Sequence, residues 1–350
     1  MTDPESDPDA GPGLPDAREF DPAVDAHAFD PAILIEVAGS YLLGGDGPGL
    51  TRHQVAEQAD VPLEQAQELW RALGFAETGD DQAAFTEADV EALRRVQELI
   101  GLDFLDASML PSLVRTMGST FSRMADWQTR LLLSTMARAD DDDVPLELLT
   151  EVVPLVEQLQ SYVWRRHLVS ATSRLLLQGS TDQASAPLAV GFVDIVGYTT
   201  QSRRLSTTEL ATMVETFERT TSDLVVEAGG QVVKTIGDEV LYTLSDPVAA
   251  ADLALALVDR GEADDTYPQV RVGSAYGTVL SRLGDVFGPV VNIAARLTSV
   301  SRPGRVLLDA ELASLVRDVE RFRVRRAPRA SVKGYEHLEL WSLKHPKPRR

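Results

Sequence analysis

Residues 186–200 read Ala-Pro-Leu-Ala-Val-Gly-Phe-Val-Asp-Ile-Val-Gly-Tyr-Thr-Thr, and this stretch decides how the C-terminal half is interpreted. Its apolar run from Leu188 to Val193 is typical of a buried strand, and Asp194 follows directly. Gly197 lets the next backbone segment turn closely around a ligand, where backbone amides can hold phosphate. The stretch therefore predicts a strand whose end carries a functional carboxylate.

Strand-like and helical patterns alternate after this stretch. The capping box Ser206-Thr-Thr-Glu209 opens a helix that ends at Gly229-Gly230, and another helix begins at Asp246-Pro247. The pattern further predicts strands at 188–193, 231–235 and 270–276, a helix at 289–300, and short strands at 305–308, 322–324 and 338–343. This alternation indicates an α/β or α+β sandwich.

A second cluster, Lys234-Thr-Ile-Gly237-Asp238, surrounds a glycine that suggests a hairpin. We expect Asp238 to meet Asp194 on a neighbouring strand. Two carboxylates with room for phosphate oxygens are what Mg²⁺ favours, because this ion keeps oxygen ligands and shares them with substrate. The two aspartates are therefore candidate metal ligands.

A third cluster, Asp285-Val-Phe-Gly288-Pro-Val-Val-Asn292-Ile-Ala-Ala-Arg296, leads into a predicted helix. Asn292 and Arg296 are four residues apart, so they project from one helical face. Taken singly, each cluster has a plainer interpretation: an aspartate after a strand is often a turn or cap residue, and Lys234 can be a solvated strand position. Their occurrence together, in this order, favours a shared function.

The three clusters resemble the class III adenylate and guanylate cyclase family, whose catalytic domain contains F-x-D-I-x-G-[YF]-T, K-x-x-G-D and D-[IV]-x-G-x-x-[VI]-N-x-A-x-R. The resemblance covers about residues 186–345. It implies an α+β fold with a ferredoxin-like βαββαβ core sheet and helices, preceded in this chain by an all-α regulatory domain. It also implies conversion of ATP to 3′,5′-cyclic AMP and pyrophosphate.

The resemblance gives roles to the acidic and basic residues of the motifs. It implies that Asp194 and Asp238 bind two ions of Mg²⁺ or Mn²⁺ in each site, and that Lys234 and Asp285 recognise adenine. Adenine presents an amino donor and a ring-nitrogen acceptor on one edge, which a carboxylate and an ammonium complement, whereas guanine presents the opposite pattern. This pair therefore favours ATP over GTP.

The remaining motif positions are expected to contact ribose and phosphate. By resemblance, Asn292 positions the ribose and Arg296 stabilises the reacting phosphate, where a planar guanidinium can donate twice. Gly197 and Thr199 belong to the segment that holds phosphate. Lys333, in a Lys-Gly pair, matches a phosphate-contacting lysine of the family, and a solvated loop lysine is the alternative.

The spacing of the second cluster bears on assembly. On one strand, Lys234 and Asp238 would lie on the same face about 13 Å apart. One residue would then serve adenine in one site while the other serves metal in a second site. The family forms its sites between two catalytic domains, so a homodimer through the catalytic and helical domains is expected.

The N-terminal half has a different composition and pattern. Residues 1–30 are rich in Asp, Pro and Gly, which predicts a disordered acidic tail. Residues 31–180 show helical periodicity, including a helix-turn-helix pattern over 51–73 and long helices over 111–137 and 145–177, the second of which leads into the catalytic domain. This arrangement, with Leu69-Trp-Arg-Ala-Leu-Gly-Phe75, resembles the autoinhibitory helical region of acid-responsive mycobacterial adenylate cyclases.

Two ligand hypotheses concern these helices. Aromatic and apolar side chains in this half suggest a lipid pocket, and its members would be Phe104, Leu105, Phe121, Trp127 and Trp164. Aromatic residues at helical spacing also form ordinary cores, which is the alternative. His167 lies shortly before the catalytic domain, and its protonation in mild acid would add charge beside Arg165 and Arg166. An exposed histidine without a role is the alternative.

Composition limits the classes of function. The formal net charge of −21 argues against nucleic-acid binding, even with the helix-turn-helix pattern. The chain contains 0 cysteines, shows neither a secretory signal nor an apolar run of membrane-spanning length, and is expected to be cytoplasmic. Two other functions stay open: a catalytically silent cyclase-like dimerisation module, and a nucleotide-sensing transcriptional regulator.

Overall fold

The computed structural model describes residues 39, 41–44, 49–75, 78–102, 109–136, 144–178, 185–328 and 338–346. The predicted tail at 1–30 lies outside these residues, as do Phe104, Leu105 and Lys333. The chain divides into two compact units, Met1–Ala171 and Thr172–Arg350. Within the described ranges, no helix is long and apolar enough to cross a membrane.

The first unit is helical. Its helices are α1 (Arg52–Gln58), α2 (Leu63–Leu73), α3 (Glu87–Gly101), α4 (Leu110–Met136) and α5 (Val144–Gln178), the last of which runs on into the second unit. Capping boxes at Thr51 and Thr86 begin α1 and α3. These observations confirm the predicted helix-turn-helix.

The short helices of this unit share a small core. Val55, Ala66 and Val90 are fully buried in it, and the Trp70 ring stacks on Phe85 with 4.6 Å between the ring centroids. Gly118 on α4 packs against the end of α2, because an added Cβ would lie 2.3 Å from the carbonyl oxygen of Leu73. The start of α4 is thereby held against α2.

The long helices leave large apolar side chains in solvent. Phe121 and Trp127 on α4 are 53% and 54% exposed, and Trp164 on α5 is 63% exposed. Side chains with this exposure do not line an enclosed pocket in a single chain. The predicted lipid pocket is therefore not supported by its described members, which were expected to be buried around the ligand.

The second unit is built on one sheet. Its strands are β1 (Ser185–Ile195), β2 (Gln231–Ile236), β3 (Glu239–Leu244), β4 (Val270–Arg282), β5 (Asp285–Phe287), β6 (Val306–Leu308), β7 (Arg323–Arg326) and β8 (Trp341–Lys344). They pair in the order β2-β3-β1-β4-β6-β8-β7, and β5 pairs with β4. Its helices are α6 (Tyr198–Gln201), α7 (Thr207–Glu227), α8 (Pro247–Ala263), α9 (Pro289–Val300) and α10 (Ala310–Val316).

The first four strands and the helices between them give the topology of the domain. β1, α7, β2, β3, α8 and β4 form a βαββαβ unit with strand order 2-3-1-4, in which all pairings are antiparallel. This arrangement confirms the predicted α+β fold with a ferredoxin-like core. The later strand β6 pairs with β4 in parallel and extends the sheet.

The two faces of the sheet have separate cores. Phe217 of α7, Leu257 of α8 and Leu312 of α10 pack with Val193 on one face. On the other face, Leu297 of α9 packs with Phe192 and the other side chains that point to that side. Side chains alternate along a strand, so Asp194 lies on the α9 face.

Several elements extend beyond their predicted bounds. β1 begins at Ser185, before the predicted strand at 188–193, and residues 185–188 pair with β4 alone. This edge position tolerates Pro187. β4 continues to Arg282 because it also pairs with β5, and α10, capped by Asp309, was not predicted. Non-local pairing thus sets strand lengths that local patterns underestimate.

Candidate active site

Asp194 occupies the last part of the central strand β1 and is 3% exposed. Its Cα partners are Glu239 on β3 and Arg271 on β4. Directly paired residues on neighbouring strands point to the same face, so these side chains form a row across the sheet. Arg271 Nε donates to Asp194 Oδ2 at 2.5 Å, and its Nη1 donates to the Ser299 carbonyl oxygen at 3.1 Å.

Asp238 lies in the turn between β2 and β3. Gly237 has a φ of 64°, which favours glycine, and the Asp238 carbonyl oxygen accepts from the Ile195 amide at 3.1 Å. The Asp238 carboxyl group lies close enough to Asp194 for its negative charge to raise the pKa of Asp194. The structure therefore brings together the two predicted metal ligands.

The hairpin corrects one expectation about spacing. Lys234 and Asp238 were expected on one strand, but β2 ends at Ile236 and a register shift interrupts its pairing between Val232 and Lys234. Asp238 therefore sits in a turn, where its direction does not follow strand alternation. The Lys234 side chain contacts Asp285 on β5 instead. The predicted separation of about 13 Å between Lys234 and Asp238 along one strand therefore gives no support for a dimer.

Burial and like charge perturb the acidic groups of the row. Burial raises the pKa of Asp194, the Arg271 guanidinium opposes this effect, and the Asp238 charge adds to it. The pKa of Glu239 rises to about 7, first because of burial and then because of the Asp194 and Asp238 charges. Arg271 alone therefore does not offset the burial and the mutual repulsion of these acidic groups.

This site fits a divalent cation. Arg271 already places one positive charge on Asp194, and Asp238 lies beside it. The described residues include no cluster of three or more Asp, Glu, His or Cys residues that alone would enclose a metal. Two carboxylates suffice for Mg²⁺ when substrate phosphate and water complete the ligands.

The second pair joins Lys234 on β2 to Asp285 on β5. Lys234 Nζ donates to Asp285 Oδ2 at 2.5 Å, while Asp285 Oδ1 accepts from the Val286 amide at 2.9 Å. The side chains are 42% and 30% exposed, so both are accessible to a ligand. The structure brings together an ammonium and a carboxylate that can bind a base edge side by side.

Asn292 and Arg296 extend from the solvent-facing side of α9. Gly288, with a φ of 141°, and Pro289 at the first helical position begin this helix. Both side chains are exposed, and neither has a hydrogen-bond partner within the described part of the chain. The structure therefore does not bring them into contact with the acidic pair inside one chain.

The segment after Asp194 forms a closed turn. Gly197 adopts a left-handed conformation with a φ of 71°, and its carbonyl oxygen accepts from the Thr200 and Gln201 amides at 2.9 and 3.0 Å. The Gln201 side chain donates to the Val196 carbonyl oxygen at 2.8 Å. Gly197 and Thr199 are exposed on this turn, next to the acidic pair in sequence.

Two charged residues of the site were not predicted. Arg271 and Glu239 become neighbours of Asp194 only through the pairing of β1 with β4 and β3. A signal existed for Arg271, because a charge between Val270 and Val272 in a buried strand needs a partner. No local pattern identifies that partner.

A family model and several known proteins match this chain. The family model for the adenylate and guanylate cyclase catalytic domain matches residues 181–345. An adenylate cyclase of Glutamicibacter nicotianae is 39% identical over 323 residues, which cover 86% of this chain and 80% of that protein. An adenylate cyclase of Streptomyces coelicolor is 38% identical over 329 residues, covering 91% and 84%.

More distant relatives also match. A pH-sensitive adenylate cyclase of Mycobacterium tuberculosis is 30% identical over 296 residues, which cover 80% of this chain and 73% of that protein. The solved structure of the adenylyl cyclase CyaB from P. aeruginosa aligns with a TM-score of 0.42 and 24% identity, over 47% of this chain and 96% of that chain. The sequence relatives extend over both units, and we conclude that the chain belongs to the class III adenylate cyclase family.

Proposed function

We propose that this protein converts ATP to 3′,5′-cyclic AMP and pyrophosphate in sites formed between two copies of the chain. Residues 186–345 are the catalytic domain and residues 31–180 the regulatory domain. The observation that carries the proposal is the ion pair of Lys234 with Asp285 on the sheet whose β2–β3 turn places Asp238 near Asp194. One pair suits a base, and the other suits a metal-bound triphosphate.

The Lys234–Asp285 pair supports selection of adenine. Asp285 can accept from the adenine amino group while Lys234 donates to the adjacent ring nitrogen. The existing contact of 2.5 Å holds the two groups side by side before substrate arrives. Guanine would present an oxygen to Asp285 and an N–H to Lys234, which leaves both contacts repulsive.

Asp194 and Asp238 would hold Mg²⁺ or Mn²⁺, two ions in each site. Bound there, the metal ions supply charge stabilisation for the triphosphate and lower the pKa of the ribose 3′-hydroxyl. Asp194 is the better fixed of the two, because it is buried at the end of a central strand. The exposed turn at Gly197 and Thr199 is our candidate for phosphate contacts, and Lys333 is a further candidate outside the described residues.

The reaction is an intramolecular phosphoryl transfer. The ribose 3′-hydroxyl releases its proton to water and its oxygen attacks the α-phosphorus, while the bond from that phosphorus to the bridging oxygen breaks and pyrophosphate leaves. Arg296 donates hydrogen bonds to the charge that builds on the α-phosphate, and Asn292 holds the ribose in position for attack. Both side chains are exposed on α9 and free to approach a ligand on a partner's surface.

The homodimer has support from two exposed surfaces. Ile236, Leu280 and Phe287 are 47%, 43% and 48% exposed on β2, β4 and β5, close in sequence to the Lys234–Asp285 pair. Trp164 and Leu159 on α5 are 63% and 61% exposed. We assign the first surface to the catalytic interface and the second to a helical interface.

The helical domain would set the register of that dimer. Catalysis in a shared site needs the two catalytic domains of the dimer in one fixed arrangement. A shift in the connecting helix α5 would therefore change both sites at once. His167 is exposed on α5 beside Arg165 and Arg166. The M. tuberculosis relative is named as pH-sensitive, and acid is accordingly the signal to test first.

The proposal is tested with purified protein, ATP and Mg²⁺ or Mn²⁺, with cyclic AMP as the readout. ATP should be cyclised and GTP should be a poor substrate. Lys234→Ala should narrow that difference without unfolding the protein. Absence of product under every metal condition would favour the silent dimerisation module, and nucleotide-dependent DNA binding would favour the transcriptional regulator.

A mixing experiment tests the shared site. Asp194→Ala and Arg296→Ala proteins should each be inactive, but a heterodimer has one site with both residues intact. Mixing should therefore restore up to about a quarter of the wild-type activity if subunits exchange at random. If tagged subunits demonstrably exchange and no activity returns, the sites are not shared between chains.

A further inference from the structure

Glu239 is the acidic side chain of the row that the proposed reaction leaves without a role. It is partly buried, it follows Asp238 in sequence, and its Cα is paired with that of Asp194. Residues paired in this way share a face, so the Glu239 carboxylate projects on the Asp194 side of the sheet. Arg271 flanks Asp194 on the opposite strand.

Glu239 lies next to the proposed metal ligands but is not placed to bind the ion together with them. In the described part of the chain, Asp194, Asp238 and Glu239 do not form a group that could enclose one ion. Glu239 nevertheless lies beside Asp194, because its Cα is the partner of the Asp194 Cα across β1 and β3, and it directly follows Asp238 in the chain. Three carboxylates facing one guanidinium leave a formal charge of about −2 when all are ionised, which a divalent cation would neutralise.

We propose that Glu239 is a positioning residue of the metal site, whose charge tightens divalent-cation binding by Asp194 and Asp238 without contacting the ion. The inference rests on the proposed function, because it presumes that these two aspartates bind metal. Without Glu239, Arg271 would balance a larger share of the remaining negative charge and compete better with the cation for Asp194. Outer groups of this kind commonly change metal affinity by about ten- to hundredfold.

The test uses the full chain and Mn²⁺ alone, without nucleotide, with free Mn²⁺ measured by its paramagnetic resonance signal. Glu239→Gln should bind Mn²⁺ at least about tenfold more weakly, and Glu239→Asp should recover part of the loss. Glu215→Gln removes an exposed charge on α7 and serves as the matched control, which should bind like the wild type.

Asp194→Asn separates the two possible failures. If Asp194→Asn loses Mn²⁺ binding while Glu239→Gln binds within about twofold of the wild type, the role of Glu239 is refuted and the metal site stands. If Asp194→Asn binds Mn²⁺ like the wild type, the metal site itself is wrong. Equal weakening by Glu239→Gln and Glu215→Gln would reduce the effect to net charge and overturn the inference.

Discussion

The two units of the chain differ in how completely they bury their apolar residues. In the catalytic unit, both faces of the sheet are covered, and residues such as Val193 and Leu297 are fully buried. In the helical unit, the short helices have a core around Val55, yet Trp127 and Trp164 on the long helices are more than half exposed. The described long helices therefore leave apolar side chains uncovered within one chain, whereas the catalytic sheet completes its own core.

This difference separates stability from activity. The catalytic unit has its own core, but its exposed Asn292 and Arg296 side chains have no hydrogen-bond partner among the described residues. The helical unit contains none of the proposed catalytic residues, and its exposed apolar surface can hold two chains together. Association through the helices would thus supply the sites that a folded single chain lacks.

The largest effect is expected at the metal ligands of the catalytic unit. Asp194→Asn should lower cyclic AMP formation by at least about 10³-fold, because several kcal/mol of charge stabilisation depend on its oxygens. The melting temperature should change little, since the amide keeps the shape of the side chain and can still accept from Arg271. Initial rates with Mn²⁺ and a thermal melt check both outcomes.

Residual activity within tenfold of the wild type would contradict the metal assignment. Asp223→Asn, which changes an exposed carboxylate on α7, is a suitable control and should keep normal activity.

The next effect concerns a buried carboxyl group that catalysis does not use. Asp309 is 8% exposed, and its Oδ1 accepts from the Leu312 and Tyr276 amides at 3.0 and 3.2 Å. Burial raises its pKa to about 6. Between pH about 4 and about 6, the Asp309 carboxyl group keeps its proton in the folded chain but has lost it in the unfolded chain. The contribution of Asp309 to stability is therefore fully present below pH about 4 and is lost as pH rises to about 6.

Asp309→Asn should therefore stabilise the catalytic unit at pH 8, by on the order of 2 kcal/mol, and change it little at pH 4. Thermal unfolding of both proteins at the two pH values provides the measurement. An equal effect at both pH values would show that ionisation of Asp309 does not control its contribution.

The comparison also explains what could be predicted from the sequence. The caps at Ser206 and Asp246 and the hairpin at Gly237 were predicted because their signals are local. The proximity of Asp238 to Asp194 was expected from the hairpin at Gly237 beside a neighbouring strand. Arg271 was not, because its contact with Asp194 depends on the register between β1 and β4, which are far apart in sequence.

The expected strand direction of Asp238 failed for a related reason. A period of two holds only while a strand is regular, and both a register shift and the hairpin turn intervene after Val232. In the helical unit, periodicity predicted the long helices but could not show which apolar side chains find partners. The exposure of Trp164 depends on how the chain packs, and a local sequence pattern does not predict it.

A smaller effect should appear at the helical surface. Trp164→Ala removes a large exposed side chain from α5, and aromatic side chains commonly dominate interface energies. We expect the dissociation constant of the dimer to rise about tenfold or more, with cyclic AMP formation falling at low protein concentration. Sedimentation velocity over a concentration series measures the first effect.

Leu315→Ala on α10, which is 42% exposed in the catalytic unit, is the matched control. If both variants weaken the dimer equally, the two units do not differ as proposed, and the helical surface has no special role in association.

The smallest effect is expected at His167, where the two units meet in sequence. His167 is exposed on α5, and the residues three and four positions away on the helix are Val163, Trp164, Ser170 and Ala171, so no carboxylate neighbours it along the helix. A positive charge on His167 would lie close to Arg165 and Arg166, and like charges on a helix cost only a few tenths of a kcal/mol. His167→Ala should therefore shift the pH–activity profile slightly, whereas removal of residues 1–180 should flatten it. Rates from pH 5.5 to 8, compared at equal dimer content, test this prediction. A truncated protein with the full pH response would place acid sensing in the catalytic unit, and the helices would then serve association alone.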